Sequence, residues 1–191
     1  MTANELYTTV AEMGFSRTLE DAERYFIRAV NLTLSRIARR FPLFGEYDTV
    51  VTAKSAYYTD IPVAAERGDF LAFPSHPLAR EGTLLHEGKD FLVREGTLRV
   101  AKEAAGPVTV RYLRRPTLLT EDNRDEPLDV APYAESLVPL LCASYLWLDD
   151  RGDLATHYLS LYRAEAEELH AALYRHGGCK VACTDGWDKT S

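Results

Sequence analysis

Four side chains near the end of the chain, His170, His176, Cys179 and Cys183, are of the types that ligate zinc and fall within fourteen residues. Two imidazoles and two thiolates could complete a tetrahedral site. The surroundings argue against it. His170 falls inside a helical pattern, the Cys-x3-Cys spacing is looser than the usual paired knuckle, and no hairpin frames the four. Histidines near the end of a helix also suit the negative pole of its dipole. No metal and no cofactor is therefore expected, with zinc on these four residues as the alternative.

Other reaction signatures are missing from the sequence. It has no Walker loop, no GxGxxG after a strand, no GxSxG elbow and no HExxH. Two acidic stretches, Glu121–Glu126 and Asp149–Asp153, supply many carboxylates. Hydrolysis needs two of them facing each other with separated pKa values, and an EF-hand needs alternating ligands with a central glycine. Neither stretch has that spacing, so both read as solvated loops and the protein as non-catalytic. A net charge of −7 argues against a surface that grips phosphate. Three cysteines are an odd number for a disulfide framework, and Cys142 sits in an apolar run as a small core residue. No apolar stretch approaches the roughly 20 residues of a membrane helix. The opening MTANELYTTVAEMGF lacks the regions of a signal peptide. A soluble protein made in a cytoplasm is expected, with no membrane partner.

The elements follow from periodicity. Thr2 to Met13 reads as a short helix with Thr2 as N-cap and Gly14 as its stop. A longer helix follows, with Thr18 and Asp21 as a weakened capping box. Its apolar residues Leu19, Ala22, Phe26, Ala29, Val30, Leu34, Ile37 and Phe41 share one face, and Pro42 ends it. The opposite face carries Glu20, Arg24, Arg28, Arg36 and Arg39. Such a run is either a solvated face or a partner surface, and Arg28, Arg36 and Arg39 are the candidates for the second role.

Between Tyr47 and Arg115 the period changes to that of strands. Val50–Tyr58, Phe70–Phe73, Thr83–His86, Asp90–Arg94, Leu98–Ala101 and Val108–Leu113 are rich in β-formers. Glu87-Gly88 and Glu95-Gly96 lie between strands, where glycine supplies positive φ. Helical character returns in SLVPLLCASYLWL, apolar almost all round and so buried on most faces. Pro139 must occupy its first turn or kink it. The last helix spans about Asp153 to Arg175, with Leu154, Tyr158, Leu161, Tyr162, Leu169, Ala172 and Leu173 on its apolar face, and Gly177-Gly178 stop it. The tail beyond has no periodicity. Trp187 is a large aromatic in polar surroundings there, suited to an arm that docks on another subunit, with Lys189 beside it.

Two helical patterns separated by strands must meet in space, since neither buries its stripe alone. The expected fold is α+β: a helical bundle from the N- and C-terminal helices with a central antiparallel β-sandwich-like insert. The divisions are 1–44, 45–120 for the insert, 121–176, and 177–191 for the arm.

Three segments resemble head-to-tail adaptor (connector) proteins of tailed phages: NLTLSRIARRFPLF (Asn31–Phe44), VTVRYLRRPTLLT (Val108–Thr120) and Leu137–Leu169. Members of that family show an ALREIARRFP-like second helix, a strand ending in Tyr-x-x-x-Pro-x-x-x-Thr, and a YxASxLxxDDxxxLAxYYxxxYE-like helical hairpin. The matching residues here are Arg36, Arg39, Phe41, Pro42, Tyr112, Pro116, Thr120, Ser144, Leu146, Asp149, Asp150, Leu154, Ala155, Tyr158 and Tyr162. The resemblance covers about half of the chain, and its motifs are structural. It implies a ring of twelve copies between the portal and a tail or stopper protein, with DNA passing through a channel unbound, in a virion assembled in the host cytoplasm. It also implies that the C-terminal arm with Trp187 docks on the portal. Pro139 and the Cys/His tail match no family pattern, and the β segment is larger than in purely helical adaptors. A second reading is a recognition module for carbohydrate, carried by Tyr57, Tyr58, Phe70, Phe73 and Phe91 of the β segment.

Overall fold

The computed structural model describes residues 1–15, 19–52 and 57–175, without the side chains of residues 19–23, 174 and 175. Thr18, Gly177, Gly178, Trp187, Lys189, His176, Cys179 and Cys183, each given a role above, lie outside the described residues. Along the chain run α1 (Ala3–Glu12), α2 (Leu19–Arg40), β1 (Leu43–Val51), β2 (Tyr58–Ile61), α3 (Val63–Glu66), β3 (Phe70–Ala72), β4 (Leu78–Arg80), β5 (Thr83–Leu84), β6 (Phe91–Arg94), β7 (Thr97–Ala101), β8 (Gly106–Arg114), α4 (Leu137–Leu146) and α5 (Gly152–Arg175). The fold is of the mixed α+β kind, and the chain divides into two compact units. One takes the described parts of Met1–Leu43 and Pro116–Lys180, the other Phe44–Arg115.

In the helical unit, α1 starts with a complete capping box. The Thr2 hydroxyl accepts from the Glu5 N–H at 3.2 Å, and the Glu5 carboxylate accepts from the Thr2 N–H at 2.8 Å. Two of the four orphan donors of the first turn are thereby satisfied. Leu6 and Val10 point inward, and Phe26, Val30, Leu34 and Ile37 of α2 do the same at helical spacing. Of the ten residues of α4, only Leu140 and Tyr145 escape full burial, because this helix packs against α1, α2 and α5 at once. Pro139 is its third residue, where the missing N–H has no helical acceptor to lose, so no kink is needed. The buried hydroxyls of Thr33 and Ser144 donate to Ala29 and Leu141 carbonyls at 2.8 and 2.7 Å, so neither burdens the core with an unmet donor. The Tyr158 hydroxyl donates to the Met13 carbonyl at 2.8 Å, tying α5 to the end of α1.

One expectation for α5 is overturned. Leu161 is not on the apolar face but 41% exposed, whereas Ala155, Tyr162 and Ala166 are the buried residues. Small alanines take the inward positions because α5 lies close along α4, and Leu161 falls about a quarter-turn outside that seam.

The β unit contains two sheets. In the first, β8 is the central strand, with β1 on one side and both β4 and β3 on the other, and β5 continues the sheet beyond β4. The second has the order β2-β7-β6. Val108, Val110 and Tyr112 of β8 share a core with Leu78, Phe91, Leu98 and Val100. The Glu95-Gly96 turn joins β6 to β7, pairing Arg94 with Thr97, and both turn residues have positive φ (46° and 77°). That is the twist-compatible two-residue hairpin. Gly96 is required twice over, since a Cβ there would also lie 2.4 Å from that of Ala64.

Three strand expectations are corrected. Val50–Tyr58 is not one strand: β1 ends at Val51 and β2 begins at Tyr58. β1 instead starts at Leu43, in a stretch whose Gly45, Glu46 and Asp48 are weak strand formers. Their pairing comes from across the sheet, where Arg111 donates to Glu46 at 2.9 Å and Thr109 to Asp48 at 2.6 Å. Glu87-Gly88 is not a hairpin, because β5 and β6 belong to different sheets. The hairpin sits earlier, at Glu81-Gly82, and joins β5 to the unexpected strand β4.

Candidate interaction surface

The long helix α2 has two different faces. Phe26, Ala29, Val30, Thr33, Leu34 and Ile37 are buried, so the residues half a turn away must meet solvent. These are Arg24, Arg28, Leu32, Arg36 and Arg39, all exposed and spaced by four, four, four and three residues. Such spacing stacks side chains into one stripe. Leu32 lies in its middle and is 47% exposed. Sequence reading missed Leu32 as a candidate, although its place between Arg28 and Arg36 at helical spacing is the signal that marks it.

No ion pair to Arg24, Arg28, Arg36 or Arg39 is found among the described residues; Arg40 alone of the helix's basic residues pairs, with Glu167 at 2.9 Å. Stacked like charges cost a helix roughly 0.2–0.5 kcal/mol per neighbouring pair. Arg36 and Arg40 lie close enough to the Tyr162 hydroxyl to pull its pKa down, but burial is the larger effect and the pKa is raised. The stripe is bordered by the extended segment after Pro116. The Asn31 amide donates to the Leu119 carbonyl at 3.0 Å and accepts from the Leu119 N–H at 2.7 Å. This clasp buries Leu119 and leaves Leu118 49% exposed. One half-exposed leucine thus sits within the basic stripe and another beside it, a mixture of arginine and apolar area typical of protein contact surfaces.

The other candidates fall elsewhere. His170 is half-buried on α5, and no group of three or more metal-ligating side chains converges among the described residues. In the acidic stretch, Asp125 accepts from the Asn4 side chain at 2.8 Å, and Asn123 ties the loop by accepting from the Thr120 N–H at 2.7 Å. Of the aromatics, Phe91 is core at 1% exposure, and Phe70 and Phe73 pack edge-on against each other at 4.9 Å. Tyr57 and Tyr58 are exposed, as consecutive residues at the entry of β2. The Tyr112 hydroxyl donates to Asp69 at 3.1 Å, and the Arg67 guanidinium lies 4.1 Å from the centre of the Tyr47 ring. These ties hold the connection around Arg67 and Asp69 against β1 and β8. Among the described residues, no helix is long and apolar enough to cross a membrane.

Cys142 is fully buried beside Thr33, and burial pushes its thiol from an ordinary value near 9 up to about 12. The thiolate is the reactive form. In the folded protein at pH 8, iodoacetamide should leave Cys142 unmodified, with labelling of its tryptic peptide appearing only in urea. The sign of the linkage is also set. Above pH 9 the unfolded chain loses this proton while the folded one keeps it, so stability falls as pH rises from about 9 towards 12. Rapid labelling of Cys142 under native conditions would contradict the packing of α4.

No protein-family model matches the chain, and no curated protein matches it either.

Proposed function

We propose that the chain is a non-catalytic structural subunit of a phage virion, a head-to-tail adaptor that forms a ring between the portal and the tail. In this reading the terminal helices make a bundle that is the body of the ring. The strands form a β-sandwich-like insert that meets the next tier, and the segment after Gly178, with Trp187 and Lys189, is an arm for the portal. The observation that carries the reading is how the family-like residues divide. Phe41, Tyr112, Ser144, Leu146, Ala155 and Tyr162 are buried, and Tyr158 bonds within the unit. Arg36 and Arg39, the two basic residues of the set, are exposed and have no ion pair among the described residues; Thr120, Asp149 and Asp150 are exposed as well. Residues kept for the fold are thus separated from two arginines free to meet a partner. The net charge of −7 suits a channel that DNA must pass without sticking.

The test is assembly. Full-length protein mixed with a candidate portal protein should give rings stacked on the portal in negative-stain images, and a single species of multiplied mass by mass photometry. Absence of any association over micromolar concentrations would sink the adaptor reading.

A further inference from the structure

We propose that the arginine face of α2 is occupied by the outer face of α5 from a second copy of the chain, in a parallel, head-to-tail contact. This inference rests on the adaptor reading and names the surfaces that close its ring. On α5, Leu161, Glu165 and Glu168 are exposed and follow one another by four and three residues. On α2, Leu32, Arg36 and Arg39 are exposed with the same spacing. Each half-exposed leucine is therefore followed by two charges on matching rungs, basic on one helix and acidic on the other. Laid parallel, Leu32 meets Leu161, Arg36 meets Glu165 and Arg39 meets Glu168; laid antiparallel, the same charges pair only in a register that sets Leu32 against Ala172 and leaves Leu161 uncovered.

Within one chain the two sets of charges are not paired among the described residues. Glu167 is the α5 carboxylate that Arg40 reaches. At 3.6 residues per turn, Glu165 lies about 160° round the helix from it. Neither Glu165 nor Glu168 has an ion pair among the described residues. Direction supplies the rest. Tyr25, early in α2, bonds Asp149 just before α5 at 2.9 Å, while Arg40, at the end of α2, pairs with Glu167 far along α5. Within one copy the two helices therefore run the same way. Rotation about an axis along these helices preserves their direction, so the α5 of one copy arrives parallel to the α2 of the next. A two-fold axis perpendicular to them would reverse it. A contact between two different faces is heterologous; repeated, it closes into a ring when the rotation between copies divides a full turn and runs on as a filament when it does not.

Charge reversal tests this in full-length protein whose Cys179 and Cys183 are serine, with circular dichroism confirming folding. Arg36→Glu with Arg39→Glu, and separately Glu165→Arg with Glu168→Arg, should each weaken self-association on the portal about tenfold or more. All four substitutions together should bring it back to within about threefold of the parent, since the pairs are restored with signs exchanged. Mixing Leu32→Cys protein with Leu161→Cys protein should give a disulfide-linked pair under mild oxidation. If the parent forms rings but both reversals assemble normally, this contact is wrong and the adaptor reading stands. Loss of portal binding by the arginine reversal alone, without rescue, would assign the α2 face to the portal and overturn the proposal. A parent that never associates, alone or with portal, overturns both.

Discussion

Leu141→Ala should cost the helical unit about 2–5 kcal/mol, the range for emptying a fully buried leucine site that cannot collapse. Leu141 has no exposed surface and lies on α4, which three other helices enclose. Its neighbours are held by more than packing: Ser144 bonds back to the Leu141 carbonyl, and Thr33 is closed onto α2. The cavity therefore persists. A domain of ordinary stability has some 5–15 kcal/mol in total, so the loss is a large share of it. Trp147 reports on the same region, with its ring 5.6 Å from that of Phe15 at a near-perpendicular angle. In a Trp187→Phe background, the urea midpoint of its fluorescence should drop well below that of the parent. A midpoint shift worth under about 1 kcal/mol would mean α4 is not the buried centre of the unit.

Gly45→Val should damage the β unit comparably, by about 3 kcal/mol, through overpacking instead of a cavity. A Cβ built on Gly45 would lie 2.3 Å from Cζ of Tyr112 and 2.5 Å from its Cε1, far inside contact distance. The tyrosine cannot retreat. Its hydroxyl is bonded to Asp69, its ring stacks with Phe70 at 6.1 Å, and Tyr47 meets it edge-on at 6.3 Å. Hydrogen exchange should show lost protection in peptides of β1 and β8. Adding Tyr112→Ala to Gly45→Val should cost less than the sum of the two single changes, by about 1–3 kcal/mol, because the clash is then gone. Full additivity would show that the ring does not lie over Gly45.

Gly45 also shows where sequence reading ran short. Its neighbours Phe44 and Glu46 give it no role, and only the Tyr112 ring arriving from β8, more than sixty residues later, explains it. β1 and β4 were missed for the same cause: their weak strand formers are recruited by β8 as a template. The helices were legible where their cues were local. Thr2 with Glu5, Pro42 after Phe41, and the all-apolar run around Leu141 each act over a few residues. For the candidate surface, Arg28, Arg36 and Arg39 were readable as a stripe from spacing, while Leu32 and Leu161 were not.

By itself the sequence determined that helices flank a strand-rich centre, where α1, α2 and α4 begin or end, and that α2 carries a basic face. Capping, proline and the 3.6-residue period operate within a turn or two of helix, so nothing distant is needed to see them. Only the tertiary structure decided which leucines are core. Leu34 and Leu32 are the same residue two positions apart, and one is buried while the other is half exposed, because α4 covers a single side of α2. The packing of α5 against α4 likewise turned Leu161 outward, on the same exposed side as Glu165 and Glu168.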